Sequence, residues 1–271
     1  MTTLGTAVRL ERLKNPASGR ILTVAVDHAS SYGVLPGIEK LCLVVDRVAA
    51  ASPDAMVMMK GTAKGCFAPH AGRVALILKC STISPHHPEF DVCASRVEEA
   101  LRLGADAIAM ALTVGSARQA ELLASLGALV REAETVGLPV IVHSYPCGEL
   151  VPPDERYSVK QVGYASRLVM ELGVDIVKTF YTGSAETFAQ VVEMAAPALV
   201  VAAGGPRLET DGDVLRMACG VVRAGADGIT FGRNIWQSDN VAGIIGALQH
   251  VVHAGGIVAD ATAMLASGQG S

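Results

Sequence analysis

"LGVDIVKTF", residues 172–180, places Gly-x-Asp ahead of a short run of apolar and β-branched residues. Glycine suits the left-handed turn that ends a helix. The run behind it has the length and branching of a buried parallel strand. The same device stands at "LGADAIAMAL" (103–112) and "AGADGITFG" (224–232), and variants punctuated by proline read "SPDAMVMMK" (52–60), "GLPVIVHS" (137–144) and "APALVVAAG" (196–204). Adding "RILTVAVDH" (20–28) and "RVALILKCS" (73–81) brings the expected strands to eight. Helical patterns fill most of the gaps, such as "VEEALRLG" (97–104) and "SVKQVGYASRLVMELG" (158–173). This alternation predicts an α/β fold, a (β/α)8 TIM barrel. An open doubly wound sheet can show the same alternation, but no G-x-G-x-x-G follows the first strand, where a dinucleotide-binding sheet would need it. No linker or change of composition divides residues 1–271, so a single domain is expected.

Composition narrows the function classes. About half the chain, 51%, is hydrophobic, ample for one large core. A net charge of −4 offers no basic face for nucleic acid. Mean hydropathy is high at +0.40, yet charges interrupt every apolar stretch before it reaches membrane-spanning length. The opening "MTTLGTAVRLERLKNP" does not read as a signal peptide. Six scattered cysteines without a C-x-x-C pair read as thiols of a reduced, cytoplasmic chain, with neither a disulfide framework nor a structural zinc site.

In a barrel of this kind, chemistry collects at the carboxyl ends of the strands. Those ends read Asp27-His28, Lys60, Lys79, Thr113, His143 to Tyr145, Lys178, Gly204-Gly205 and Gly232-Arg233. Lys178 stands out because it interrupts a buried strand. Facing the interior, it would share its side with Ile176 and Phe180, while Val177 and Thr179 face the helices. Desolvation would lower its pKa and leave part of it as a free amine, able to form an imine with a ketone. An ion pair with a strand-end carboxylate accounts for the same residue equally well. Asp27 suits a proton shuttle, a partner for the lysine or a loop cap. Tyr145, in "HSYPCG", suits proton transfer to a hydroxyl, or simply a Tyr-Pro turn. His28 and His143 are weaker candidates. "AAGGPR" (202–207) and "FGRNIW" (231–236) together suggest a phosphate cradle, in which glycines admit the anion and Arg233 grips it. "SPHHPEFDVC" (84–93) holds His86, His87, Glu89 and Asp91, but the adjacent histidines lack a converging geometry. A polar loop at the mouth, with no metal, is expected there.

Taken together, a DH pair ending strand one, Y-P-x-G after strand five, V-K-T-x-Y-T-G on strand six, G-G-P-[KR] after strand seven and G-R-N-[IVF]-[WF]-Q after strand eight resemble the archaeal-type class I fructose-bisphosphate aldolase family. This DeoC-like superfamily also holds 2-amino-3,7-dideoxyheptulosonate synthase and the autoinducer-2-processing thiolase. The resemblance runs over nearly the whole chain. It implies a Schiff-base mechanism with no metal or other cofactor, acting on a phosphorylated sugar. Lys178 would be the imine-forming lysine, Tyr145 the proton-transfer tyrosine and Asp27 the strand-one aspartate. Gly204, Gly205, Gly232 and Arg233 would cradle the phosphate, with His28 beside them. A ring-shaped homo-oligomer, often a decamer, is also implied.

Three departures bear on the substrate. Ala29 stands where the family commonly has glycine, with Tyr32 added in the same loop; Cys147 replaces the arginine of Y-P-R-G; and "MKG" (59–61) replaces H-K-G. The lost positive charges weaken the case for a second, distal phosphate. The expectation is therefore an aldolase for a ketose phosphate other than strictly fructose 1,6-bisphosphate. A synthase or thiolase on the same lysine, and a sugar-phosphate-binding barrel without catalysis, are its rivals.

Overall fold

The aspartates that precede the apolar runs bind one strand to the next. In the computed structural model, which describes residues 3–267, each carboxylate accepts a backbone N–H at the start of an adjacent strand. Asp54 takes that of Leu22 at 2.6 Å, Asp106 that of Leu76 at 3.2 Å, Asp175 that of Val140 at 2.8 Å and Asp227 that of Val200 at 2.7 Å. Gly173, at φ +89°, makes the turn that releases the chain from the helix Val159–Glu171 into this arrangement.

The strands in chain order are β1 (Ile21–Ala25), β2 (Ala55–Met59), β3 (Ala75–Lys79), β4 (Ser81–Ser84), β5 (His87–Cys93), β6 (Ala107–Thr113), β7 (Val140–Tyr145), β8 (Ile176–Phe180), β9 (Leu199–Ala203) and β10 (Gly228–Phe231). Eight of them close a parallel barrel in the order β1-β10-β9-β8-β7-β6-β3-β2. All eight strands expected from the sequence are present, separated by helices. The barrel architecture is therefore the one its alternation predicts.

Side-chain alternation sorts the core into two shells. Ile21, Val57, Ile77, Ile141, Ile176 and Val201 pack inside the barrel, while Val24, Met56, Val177 and Val200 pack outward against the helices. Leu13, from the helix Leu4–Leu13, joins the inner cluster. The Arg9 guanidinium of that helix donates to the Gly137 carbonyl at 2.8 Å. Toward the carboxyl ends the interior turns polar: Ala111, His143, Lys178 and Val201 lie on one continuous rung of β6 to β9.

Three expectations are corrected. The segment 84–93 is no loop: β4 and β5 form an antiparallel hairpin over the mouth, touching the helix His28–Tyr32 through Thr82 and Ser30 at 2.9 Å. His86 and His87 are exposed at its turn. Lys60 opens the helix Lys60–Cys66 and pairs with Glu99 at 2.6 Å, away from the cavity. Cys42 and Cys66, 24 residues apart, form a disulfide between the helices Leu41–Ala50 and Lys60–Cys66, so not all six cysteines are free thiols. Among the described residues, no helix is long and apolar enough to cross a membrane.

Candidate active site

A cavity of about 410 Å3 opens at the carboxyl ends of the strands. Its wall brings together Lys178, Tyr145, Asp27, His28, Arg233 and the glycines 204, 205 and 232, every residue to which the resemblance gives a role.

Lys178 faces inward from β8 at 6% exposure. Burial pulls its amine down to about 8; the Asp27 carboxylate opposes this, while Lys79 and Arg233 reinforce it. At pH 7.5 such an amine is roughly a quarter unprotonated, against about one part in a thousand for an ordinary lysine. The ion-pair alternative is thus only half present. Asp27 attracts the ammonium but does not overcome the cost of desolvation.

His143 neighbours Lys178 in register on β7. Burial, then the charges of Lys178 and Lys79, hold it well below the usual histidine range, so it is a neutral imidazole. His28 is likewise neutral, its pKa lowered by burial to about 4. Its Nδ1 lies 3.5 Å from Asp27 Oδ1, a dipolar contact at neutral pH rather than an ion pair. Tyr145 stacks on Phe180 with centroids 4.6 Å apart and planes 13° apart, and Tyr157 covers the other partner at 4.9 Å. Desolvation pushes the Tyr145 phenol well above its ordinary range, so it is held as a proton donor.

The loops after β9 and β10 are fastened by Asn234, which is fully buried. Its amide donates to the carbonyls of Gly204 at 2.7 Å and Pro206 at 3.2 Å, and its oxygen accepts the Leu208 N–H at 2.8 Å. Trp236 ties the second loop to β1 by donating to the Ala25 carbonyl at 3.0 Å. Gly232 is required by close approach, because a Cβ there would lie 2.4 Å from His28 Cε1 and 2.8 Å from the Ala25 oxygen. Arg207 turns away to Asp211 at 2.6 Å, leaving Arg233 as the cation of this cradle. Arg233 also lies over the Tyr32 ring, 5.6 Å from its centroid, which gives the added tyrosine a contact.

Among the described residues, four buried nitrogens of the cavity lining lack a hydrogen-bond partner: His28 Nδ1, His143 Nε2, Arg156 Nε and Arg233 Nε. Buried polar atoms are normally satisfied, so their concentration here marks a surface built to meet a polar, anionic ligand.

Two groups at the site carried no assigned role in the sequence. Lys79 on β3 donates to the Ser81 carbonyl at 2.5 Å and its hydroxyl at 3.0 Å; that hydroxyl reaches Asp91 at 3.4 Å. Asp91 also accepts from Thr113 at 3.3 Å, and burial raises its carboxyl above the usual range despite the pull of Lys79. Lys79 was visible as a polar strand end. Asp91 reaches the site only because β5 folds back over the barrel.

Comparison with known proteins agrees with this geometry. A model of the DeoC/LacD family aldolases matches residues 21–238. The chain is 30% identical over 252 residues to 2-amino-4,5-dihydroxy-6-oxo-7-(phosphonooxy)heptanoate synthase of Streptomyces griseus, covering 92% of this chain and 91% of the relative. It is also 30% identical over 259 residues to 2-amino-3,7-dideoxy-D-threo-hept-6-ulosonate synthase of Halobacterium salinarum, covering 93% of each. An archaeal fructose-1,6-bisphosphate aldolase, solved with its catalytic lysine bound to the carbinolamine intermediate, superposes with a TM-score of 0.83 at 30% identity, covering 92% of this chain and 99% of that one. The chain belongs to the DeoC/LacD aldolase family and is a class I, Schiff-base aldolase.

Proposed function

We propose that this aldolase makes or breaks a C–C bond beside a keto carbon that carries a phosphonooxymethyl group, through an imine on Lys178. The observation that carries the reading is a desolvated amine, with a pKa of about 8, in a cavity also lined by Arg233 and two glycine-bearing loops. The names of the relatives support the keto-phosphate half. A 6-oxo-7-(phosphonooxy) end and the first two carbons of fructose 1,6-bisphosphate share that unit, and the two compounds differ beyond it.

In this mechanism Lys178 Nζ adds to the ketone and the resulting carbinolamine loses water to give a protonated imine. The iminium draws electrons from the neighbouring C–C bond, which breaks in cleavage or forms, through the enamine, in condensation. Tyr145, held protonated, donates to the alkoxide that condensation creates and takes that proton back in cleavage. Asp27 steadies the ammonium and relays protons at the lysine. Arg233 and the loops at 204–205 and 232 hold the phosphate, with neutral His28 as a dipolar neighbour.

Borohydride added with dihydroxyacetone phosphate is expected to trap a covalent adduct on Lys178, read by intact mass and peptide mapping. The rate of trapping should rise with pH and level off around a midpoint near 8. No adduct, an adduct elsewhere, or a rate still climbing above pH 10 would sink the reading.

We further place the enzyme in the cytoplasm as a homo-oligomer. Sugar phosphates are anions that membranes retain, which supports the location. Leu4 and Val8, 81% and 43% exposed on the first helix, and Leu150, 70% exposed, support apolar contact with neighbouring copies. Sedimentation should give a multiple of 28.0 kDa; a monomer at micromolar concentration would overturn the oligomer.

A further inference from the structure

Cys147 stands where the Y-P-x-G resemblance expects an arginine, which argues against a second anion on that side of the substrate. The structure returns a guanidinium to the same part of the cavity from farther along the same connection, which runs between Tyr145 and Val159. Arg156 follows the short turn Pro153–Glu155 and lines the cavity together with Cys147. It also borders the adjoining cleft formed by Pro88, Glu89, Cys147 and Glu149. Its charge is felt at the Cys147 thiol, where it opposes the rise that burial imposes.

The neighbouring carboxylates are engaged elsewhere. Glu149 accepts the Ala117 N–H at 2.7 Å, and Glu155 accepts from Gln161 at 3.0 Å. Asp91 is held by Ser81 and Thr113, and Glu89 acts on Arg118. Arg156 Nε is meanwhile buried without a partner. Among the described residues that line the cavity, Lys79, Lys178, Arg156 and Arg233 face only Asp27 and Asp91 as carboxylates. A guanidinium in a partly desolvated wall is favoured when a carboxylate or phosphate meets its planar fork.

We propose that Arg156 is a specificity-determining residue that binds a negatively charged group, phosphate or carboxylate, at the far end of the aldehyde half of the substrate. This rests on the aldol reaction proposed above. It assigns the charge lost at Cys147 to a residue some nine positions downstream, so the altered motif does not imply a neutral acceptor.

The test uses dihydroxyacetone phosphate as donor and three aldehydes as acceptors: glyceraldehyde 3-phosphate, succinic semialdehyde and uncharged glyceraldehyde. The wild-type enzyme should favour at least one anionic aldehyde in kcat/KM. Arg156→Gln should reduce that preference at least tenfold relative to glyceraldehyde, chiefly through KM, while a borohydride adduct with the donor still forms. Loss confined to the phosphorylated aldehyde identifies phosphate as the group, and loss confined to the semialdehyde identifies carboxylate. Cys147→Arg added to Arg156→Gln should restore part of the preference. A wild-type enzyme indifferent to acceptor charge, an unchanged preference in Arg156→Gln, or an equal fall for all three aldehydes would overturn the proposal. Absence of any donor adduct on wild-type Lys178 would instead overturn the reading beneath it.

Discussion

Lys178→Met is expected to give a protein that has lost its catalysis and resists unfolding better than the parent. The catalytic half follows from the imine. Without the amine no electron sink forms, and turnover should fall by about 10^4-fold or more, with no borohydride adduct. The stability half follows from linkage. The folded pKa is about 8, below the ordinary 10.5, so folding disfavours the charged amine. Between those values the unfolded chain binds more protons than the folded one, so stability rises with pH across that window. Below about 8 the penalty is present in full, on the order of 3 kcal/mol. Methionine keeps the stem's packing and removes the charge, but it also deprives Asp27 of a favourable neighbour. A net gain of about 1–2 kcal/mol at pH 7 is the expectation. Urea unfolding of both proteins at pH 7 and pH 10 tests it. The wild type should gain stability at the higher pH and the variant should not. A variant less stable at pH 7, or one with the wild-type pH slope, would show that Lys178 is a structural ion-pair residue.

That conflict between local cost and function is why Lys178 could be read from sequence. A charged residue in a run like "DIVKTF" breaks the rule for a buried strand, and such breaks concentrate at functional sites. Strand ends were legible for a related reason. Regular alternation fixes where each strand stops, and in a barrel all the stops lie at one rim. The Gly-x-Asp device was legible as punctuation, but the role of its aspartate was not, because the partner N–H belongs to another strand 27 to 35 residues away. Asp91 and Arg156 were hidden for the same physical reason. A hairpin folding back over the mouth and an irregular loop carry no periodicity from which a side chain's direction can be read. Lys60 misled because a helix begins at that residue and swings it outward to Glu99. The Cys42–Cys66 bond depends on two helices packing side by side, which their separation along the chain does not reveal.

Lys79→Met, the second substitution with a large expected effect, separates positioning from catalysis at the same rim. Lys79 is 4% exposed and linked through the Ser81 hydroxyl to Asp91, itself 4% exposed. Removing the amine leaves a buried carboxylate with two hydroxyl donors and no cation beside it. Breaking such an arrangement from one side is costly, and a loss of about 2–4 kcal/mol in unfolding free energy is expected, tempered because Asp91 can take up a proton. Replacing both charges removes the imbalance, so Lys79→Met/Asp91→Asn should recover most of that loss, a coupling that two independent sites would not show. The kinetic signature is separate. Lys79 is one of the two cations that push the Lys178 amine downward. Without it, the midpoint for imine formation should move to higher pH, slowing trapping at pH 7 while leaving the plateau at alkaline pH. Asp91→Asn alone should move the midpoint the other way, because Lys79 then acts on Lys178 with less compensation. Pre-steady-state borohydride trapping across pH 6–10 distinguishes these outcomes. Equal losses at every pH would mean that Lys79 only holds the rim together; opposite displacements in the two single variants would mean that the hairpin delivers Asp91 to the barrel in order to set how much of Lys178 is free to react.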